Sequence, residues 1–138
     1  MKRLARLSVV ALMLASAVFA PLAIAQEPGE VDIQSVTLGP EGSVQVTGTI
    51  ECLAGSDYTI LLEVRQAQGN QPVRFGNKWT DTFICQTTGP ESFTDYVFPE
   101  PGSKPFRKGE VVVSGVRFFC GSIICNNEPI GVEAFQVR

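Results

Sequence analysis

Four cysteines, Cys52, Cys85, Cys120 and Cys125, and no histidine set the chemical repertoire of this chain. Without histidine there is no serine–histidine or cysteine–histidine dyad to activate a nucleophile. The same absence, with no Cys-x-x-Cys pair, removes the usual ligand sets for zinc. Carboxylate pairs remain, since two acids suffice for glycoside hydrolysis. The fourteen acidic residues are scattered mainly over turns and polar strand positions, however, which is the pattern of a solvated surface. No glycine-rich phosphate loop follows a strand and opens a helix. The residue types therefore argue against catalysis, and they call for no cofactor and no metal.

The cysteines read instead as structural. Four of them allow three pairings. Cys120 and Cys125 are separated only by Gly121-Ser122-Ile123-Ile124, and so short a spacing favours a local bridge, leaving Cys52 for Cys85. By the loop-closure model the longer ring is worth about 4 kcal/mol and the shorter about 2 kcal/mol. Either is comparable to a sizeable part of a small domain's net stability of about 5–15 kcal/mol.

Two segments could recognise a partner. Val73–Trp79, VRFGNKW, interleaves Phe75 and Trp79 with the cations Arg74 and Lys78. Lys104–Lys108, KPFRK, places basic residues around Phe106. Aromatic and cationic side chains together can hold a sugar, an anionic ligand or a protein. Phe75, Lys78, Trp79 and Phe106 are thus the candidate ligand contacts. If they bind, Trp79 or Phe106 carries a partly exposed ring; the competing expectation is that Phe75 and Trp79 anchor the core and Phe106 plugs one end of the fold.

The elements that position these residues are strands. Lys2, Arg3 and Arg6 precede the apolar run Leu7–Phe19, and Ala23-Ile24-Ala25 supplies a small-x-small cleavage site. Residues 1–25 are read as a signal peptide and 26–138 as a single secreted, extracellular domain with no membrane anchor after cleavage. The chain has a formal net charge of −3, and losing three cations with the leader makes the remainder more acidic. With no basic run, it is not expected to bind nucleic acid.

Gly42–Arg65 carries the clearest pattern: Val44, Val46, Ile50 and Cys52 alternate with polar residues, and the period resumes at Tyr58, Ile60, Leu62 and Val64. A period of two buries one face of a strand, and the turn-prone Ala54–Asp57 between the runs predicts a hairpin, with Leu61 out of phase. Val31–Leu38 predicts an earlier strand whose phase slips between Ile33 and Val36, as at a bulge. Gly48 marks close backbone approach or a bend. Gln66–Asn77 reads as a loop with a short strand at Pro72–Phe75; Trp79–Thr87, Ser92–Phe98, Glu110–Cys120 and Ile130–Arg138 read as further strands, and Pro99–Gly109 and Gly121–Pro129 as linkers. Seven or eight short strands without helical periodicity predict an all-β, two-sheet antiparallel, immunoglobulin-like sandwich with two disulfides. A small closed barrel is the alternative.

The run VTLGPEGSVQVTGTIECLAG, the later Cys85 followed by Thr-Thr-Gly, Phe106-Arg107-Lys108-Gly109 and the Cys120/Cys125 pair resemble small exported proteins of unknown function from actinobacteria and related lineages. That resemblance implies the fold and disulfides, and carries no activity. The late Cys-x-x-x-x-Cys is similar, more weakly, to that of neocarzinostatin-type apoproteins, immunoglobulin-like carriers of enediyne chromophores; their other bridge closes a much shorter loop than Cys52–Cys85. The functional expectation is a secreted, non-enzymatic binding or interaction module for a protein, glycan or small-molecule ligand. The alternatives are a structural envelope or extracellular-matrix protein and a small-molecule carrier of the neocarzinostatin type.

Overall fold

The computed structural model describes residues 27–120 and 125–138. The expected signal peptide and the Gly121–Ile124 part of the last linker lie outside the described residues. Eight strands follow in order: β1 (Val31–Leu38), β2 (Val44–Cys52), β3 (Asp57–Gln68), β4 (Gln71–Trp79), β5 (Phe83–Ile84), β6 (Gly89–Val97), β7 (Gly109–Cys120) and β8 (Cys125–Val137). A 3-10 turn at Pro40–Gly42 joins β1 to β2. One antiparallel sheet has the order β1-β2-β6; the other has β4-β3-β7-β8, with β5 paired to β3. The chain is an all-β, two-sheet sandwich of the immunoglobulin-like kind.

The core lies between the sheets and comes from the alternating positions. Val44, Val46, Ile50, Ile60, Leu62 and Val64 are completely buried, joined by Phe93, Val97, Val111 and Val113. Each such aliphatic side chain contributes about 1.5–3 kcal/mol on burial. These six positions together therefore outweigh either disulfide. The bulge in β1 is where the phase slips: the register with β2 shifts between Ile33 and Ser35, so that Ile33 and Val36 both reach the core. Gly48 is a point of close approach, because a Cβ there would collide with the Asp32 carbonyl and the Phe93 ring.

Four sequence expectations change. Gly42–Arg65 is not a hairpin: β2 and β3 lie in opposite sheets, and Leu53–Ser56 is the corner between them. Both strands carry one strongly apolar face, and placing them in facing sheets lets those faces cover one another. The corner is clamped by the Cys52–Cys85 disulfide, by Gly55 N–H donating to the Cys85 carbonyl (2.8 Å) and by Cys85 N–H donating to the Ser56 carbonyl (3.1 Å). Gln66–Asn77 is mostly strand: β3 and β4 form a long hairpin turning at Gly69-Asn70. Its inward positions are Gln66, Arg74 and Gly76, which is why no apolar period announces it. Conversely, Trp79–Thr87 is largely irregular, with Trp79 ending β4 and only Phe83–Ile84 forming a strand, and β8 begins at Cys125 rather than Ile130.

All four cysteines are bridged, Cys52 to Cys85 and Cys120 to Cys125. The first pair is buried and the second exposed. Two structural disulfides indicate an oxidising environment. Among the described residues no helix is long and apolar enough to cross a membrane.

Candidate functional site

The pleat of β4 separates the residues that the sequence interleaves. Arg74 and Gly76 point between the sheets, while Val73, Phe75, Asn77 and Trp79 take the outer face of the larger sheet. Lys78 falls on the opposite side of the strand from Trp79, so the two do not share a surface. It lies instead near Asp95, whose carboxyl burial pushes above its ordinary range; the Lys78 charge opposes that rise and Asp81 adds to it.

The outer face is built by cross-strand partners. Leu61 on β3 pairs with Trp79 on one side and Val116 on the other, Glu63 with Asn77 and Ser114, and Arg65 with Phe75 and Val112. The Arg65 guanidinium sits over the Phe75 ring at 5.5 Å. With Val73 these two residues line a shallow apolar hollow of about 340 Å³. Trp79 is half exposed, at 50 %, and its ring packs on Phe118 with 5.0 Å between centroids. The chain leaving Trp79 is held rigidly: Thr80 N–H donates to the Ile60 carbonyl (2.9 Å) and Ile60 N–H to Thr80 Oγ1 (3.0 Å). The indole is thus presented from a fixed strand end rather than from a swinging loop.

Phe106 has the opposite fate. It is buried at 3 %, and its N–H donates to the Gly42 carbonyl (2.9 Å). Its ring plugs the end of the sandwich where β2 begins and is not available to a ligand. Phe75, Trp79 and Phe106 therefore do not form one site. Leu61, Arg65, Val116 and Phe118 complete the outer face, and none of them was among the candidate contacts. Besides Phe75 and Trp79, the phase error at Leu61 is a sequence signal for this surface: it is apolar on the strand face that should be polar.

Chemically, this face offers apolar area, one cation–π pair, the Glu63 carboxylate beside Arg65 and Ser114, and a few hydroxyl and amide groups. No group of histidine, cysteine, aspartate or glutamate among the described residues is arranged to hold a metal ion. Fold and surface together define an immunoglobulin-like sandwich with an aromatic patch on the outside of its larger sheet. Compared with protein-family models, curated proteins and solved structures, the chain finds no match.

Proposed function

We propose that this protein is an exported, non-enzymatic interaction domain that binds a partner protein through the outer face of its larger sheet. The observation that carries this reading is the half-exposed Trp79 packed on Phe118, with Leu61 and Val116 beside them. Tryptophan, phenylalanine and arginine are enriched at protein interfaces, and tryptophan is a frequent energetic centre. The face is an open sheet surface, whereas small-molecule sites are concave and bury most of their ligand; this favours a macromolecular partner over the carrier reading. Export is supported by the leader-like Met1–Ala25 and the two disulfides.

A self-assembling matrix role receives less support. The long outer strand β8 is interrupted by Pro129 and by a register shift opposite Val113–Gly115, and carries Glu128 and Glu133. Such features discourage edge-to-edge pairing.

The test is affinity capture from the producing organism's extracellular fraction with residues 26–138, beside a glycan array, using Trp79→Ala and Tyr96→Ala. Tyr96 is 40 % exposed on the other sheet and serves as the control. A protein partner lost with Trp79→Ala and kept with Tyr96→Ala is the expected result. Capture that Trp79→Ala leaves intact would overturn the assignment of the surface, and a glycan hit sensitive to Trp79 would move the ligand class to sugars.

A further inference from the structure

The outer face of the larger sheet carries both a projection and a recess. Trp79 stands half exposed at the end of β4, and Val73, on the same side of that strand, is 54 % exposed. Val73, Phe75 and Arg65 line the apolar hollow of about 340 Å³. Gly76 lies midway between Trp79 and Val73 along β4. On β3, Glu63 and Arg65 point to this face with Val64 between them. Their charged groups are 4.0 Å apart, with 31 % and 61 % of the side chains exposed. So long and open a contact contributes little, and both charges are free to meet another surface.

Val64 and Gly76 are cross-strand partners. One line drawn across the strands at that row therefore bisects two pairs, Trp79 with Val73 and Glu63 with Arg65. A two-fold axis along this line, lying in the plane of contact, sets the indole of each copy against the Val73 hollow of the other. The same rotation faces each Glu63 with Arg65 of the second copy. Such an interface is isologous, and every contact is made twice. The indole entering the hollow meets a guanidinium, which the face of the ring attracts. Among the outward positions of Thr59–Arg65, Val73–Trp79 and Val112–Phe118, the charged side chains are Glu63 and Arg65 alone. Two such faces thus meet with no charge left uncompensated, although the chain as a whole is acidic. With strands about 4.8 Å apart and about 3.3 Å per residue, the four-stranded face over the Thr59–Ala67 rows measures roughly 30 by 19 Å. Covering it on both copies buries roughly 1,100 Å², at the low end for a specific interface, as a reversible pair requires.

We propose that the occupant of this face is a second copy of the chain, held as a closed two-fold dimer by reciprocal insertion of Trp79 into the Arg65–Val73–Phe75 hollow and by Glu63–Arg65 pairs across the axis. The inference rests on the reading of this face as an interaction surface and names its partner. The sheets of the two copies lie face to face, as in a packed sandwich. A closed pair leaves the strand edges unused and does not propagate into a filament.

Sedimentation equilibrium of residues 26–138, from micromolar to millimolar concentration, tests this. The expected result is a reversible monomer–dimer equilibrium. Trp79→Ala should weaken it by about tenfold or more, and Tyr96→Ala, on the other sheet, should leave it unchanged. Glu63→Arg and Arg65→Glu each set like charges against one another twice, and each should weaken self-association by about tenfold or more. An equimolar mixture of these two variants restores both opposite-charge contacts. It should associate at least about threefold more tightly than either variant alone. The mixing arm alters only surface charges, so it keeps the test decisive should Trp79→Ala not fold. A monomer at every concentration, a dimer that Trp79→Ala retains in full, or a mixture no tighter than its components would overturn the proposal. If the monomer still captures a different protein, and Trp79→Ala abolishes that capture, the second copy is overturned as occupant while the interaction surface stands. Absence of both self-association and Trp79-dependent capture overturns the two together.

Discussion

Trp79 and Phe118 touch although their strands are not neighbours. Their ring centroids are 5.0 Å apart with the planes inclined by 48°, and β3 runs between β4 and β7. Leu61 pairs with Trp79, and Thr59 pairs with Phe118, so the two rings meet diagonally across the surface of β3. Rings at this separation attract one another beyond simple area burial. The contact fixes the indole while leaving half of it open to solvent, the condition for an anchor that loses little freedom on binding.

Trp79→Ala and Phe106→Ala should therefore behave differently in urea titrations. Trp79→Ala removes a half-exposed ring and should cost about 1 kcal/mol or less. Phe106→Ala opens a cavity at the end of the core and should cost about 3–5 kcal/mol. Equal losses would mean that Trp79 is a packing residue.

The two disulfides should separate under mild reductant. Cys120–Cys125 is exposed and spans 5 residues; Cys52–Cys85 is buried and spans 33. In a dithiothreitol series followed by peptide mapping, Cys120–Cys125 is expected to open first. Its loss should cost about 2 kcal/mol, against about 4 kcal/mol for the longer ring. Earlier reduction of Cys52–Cys85 would contradict the observed burial.

Asp95 makes a pH prediction. Its folded value is raised, chiefly by burial, above an ordinary 3.8, so the native state holds this proton more tightly than the unfolded chain. The contribution of Asp95 favours the fold at low pH and is lost as pH rises through the raised value. Asp95→Asn should accordingly melt higher than the parent at pH 7, with the gain disappearing near pH 3. Lys78→Met should raise the Asp95 midpoint further in an NMR titration, because it removes the charge that opposes the shift.

Gly48→Ala should destabilise by about 1–3 kcal/mol, since its methyl group would drive into the Asp32 backbone and the Phe93 ring. Gly55→Ala, where a Cβ meets no atom but φ is +84°, tests the separate cost of left-handed backbone. It should lose about 1 kcal/mol by equilibrium unfolding.

Much of the fold was legible in the residues alone because a strand buried on one face writes its period directly: Val44, Val46, Ile50 and Cys52, then Tyr58, Ile60, Leu62 and Val64. The bulge at Ile33–Ser35 and the local Cys120–Cys125 bridge followed from phase and spacing in the same way. Alternation, however, says that neighbouring side chains part company, and not which strand will lie beside which. Only the tertiary structure placed β2 and β3 in opposite sheets, where their apolar faces cover each other. It also decided the direction of polar or ambiguous positions, whose cost depends on distant partners. Gln66 can point inward because the Arg107 backbone, far along the chain, satisfies its amide. Phe106 turns in where β2 begins, Trp79 turns out over Phe118, and Arg74, between Val73 and Phe75 on an alternating strand, is carried into the interior by the pleat.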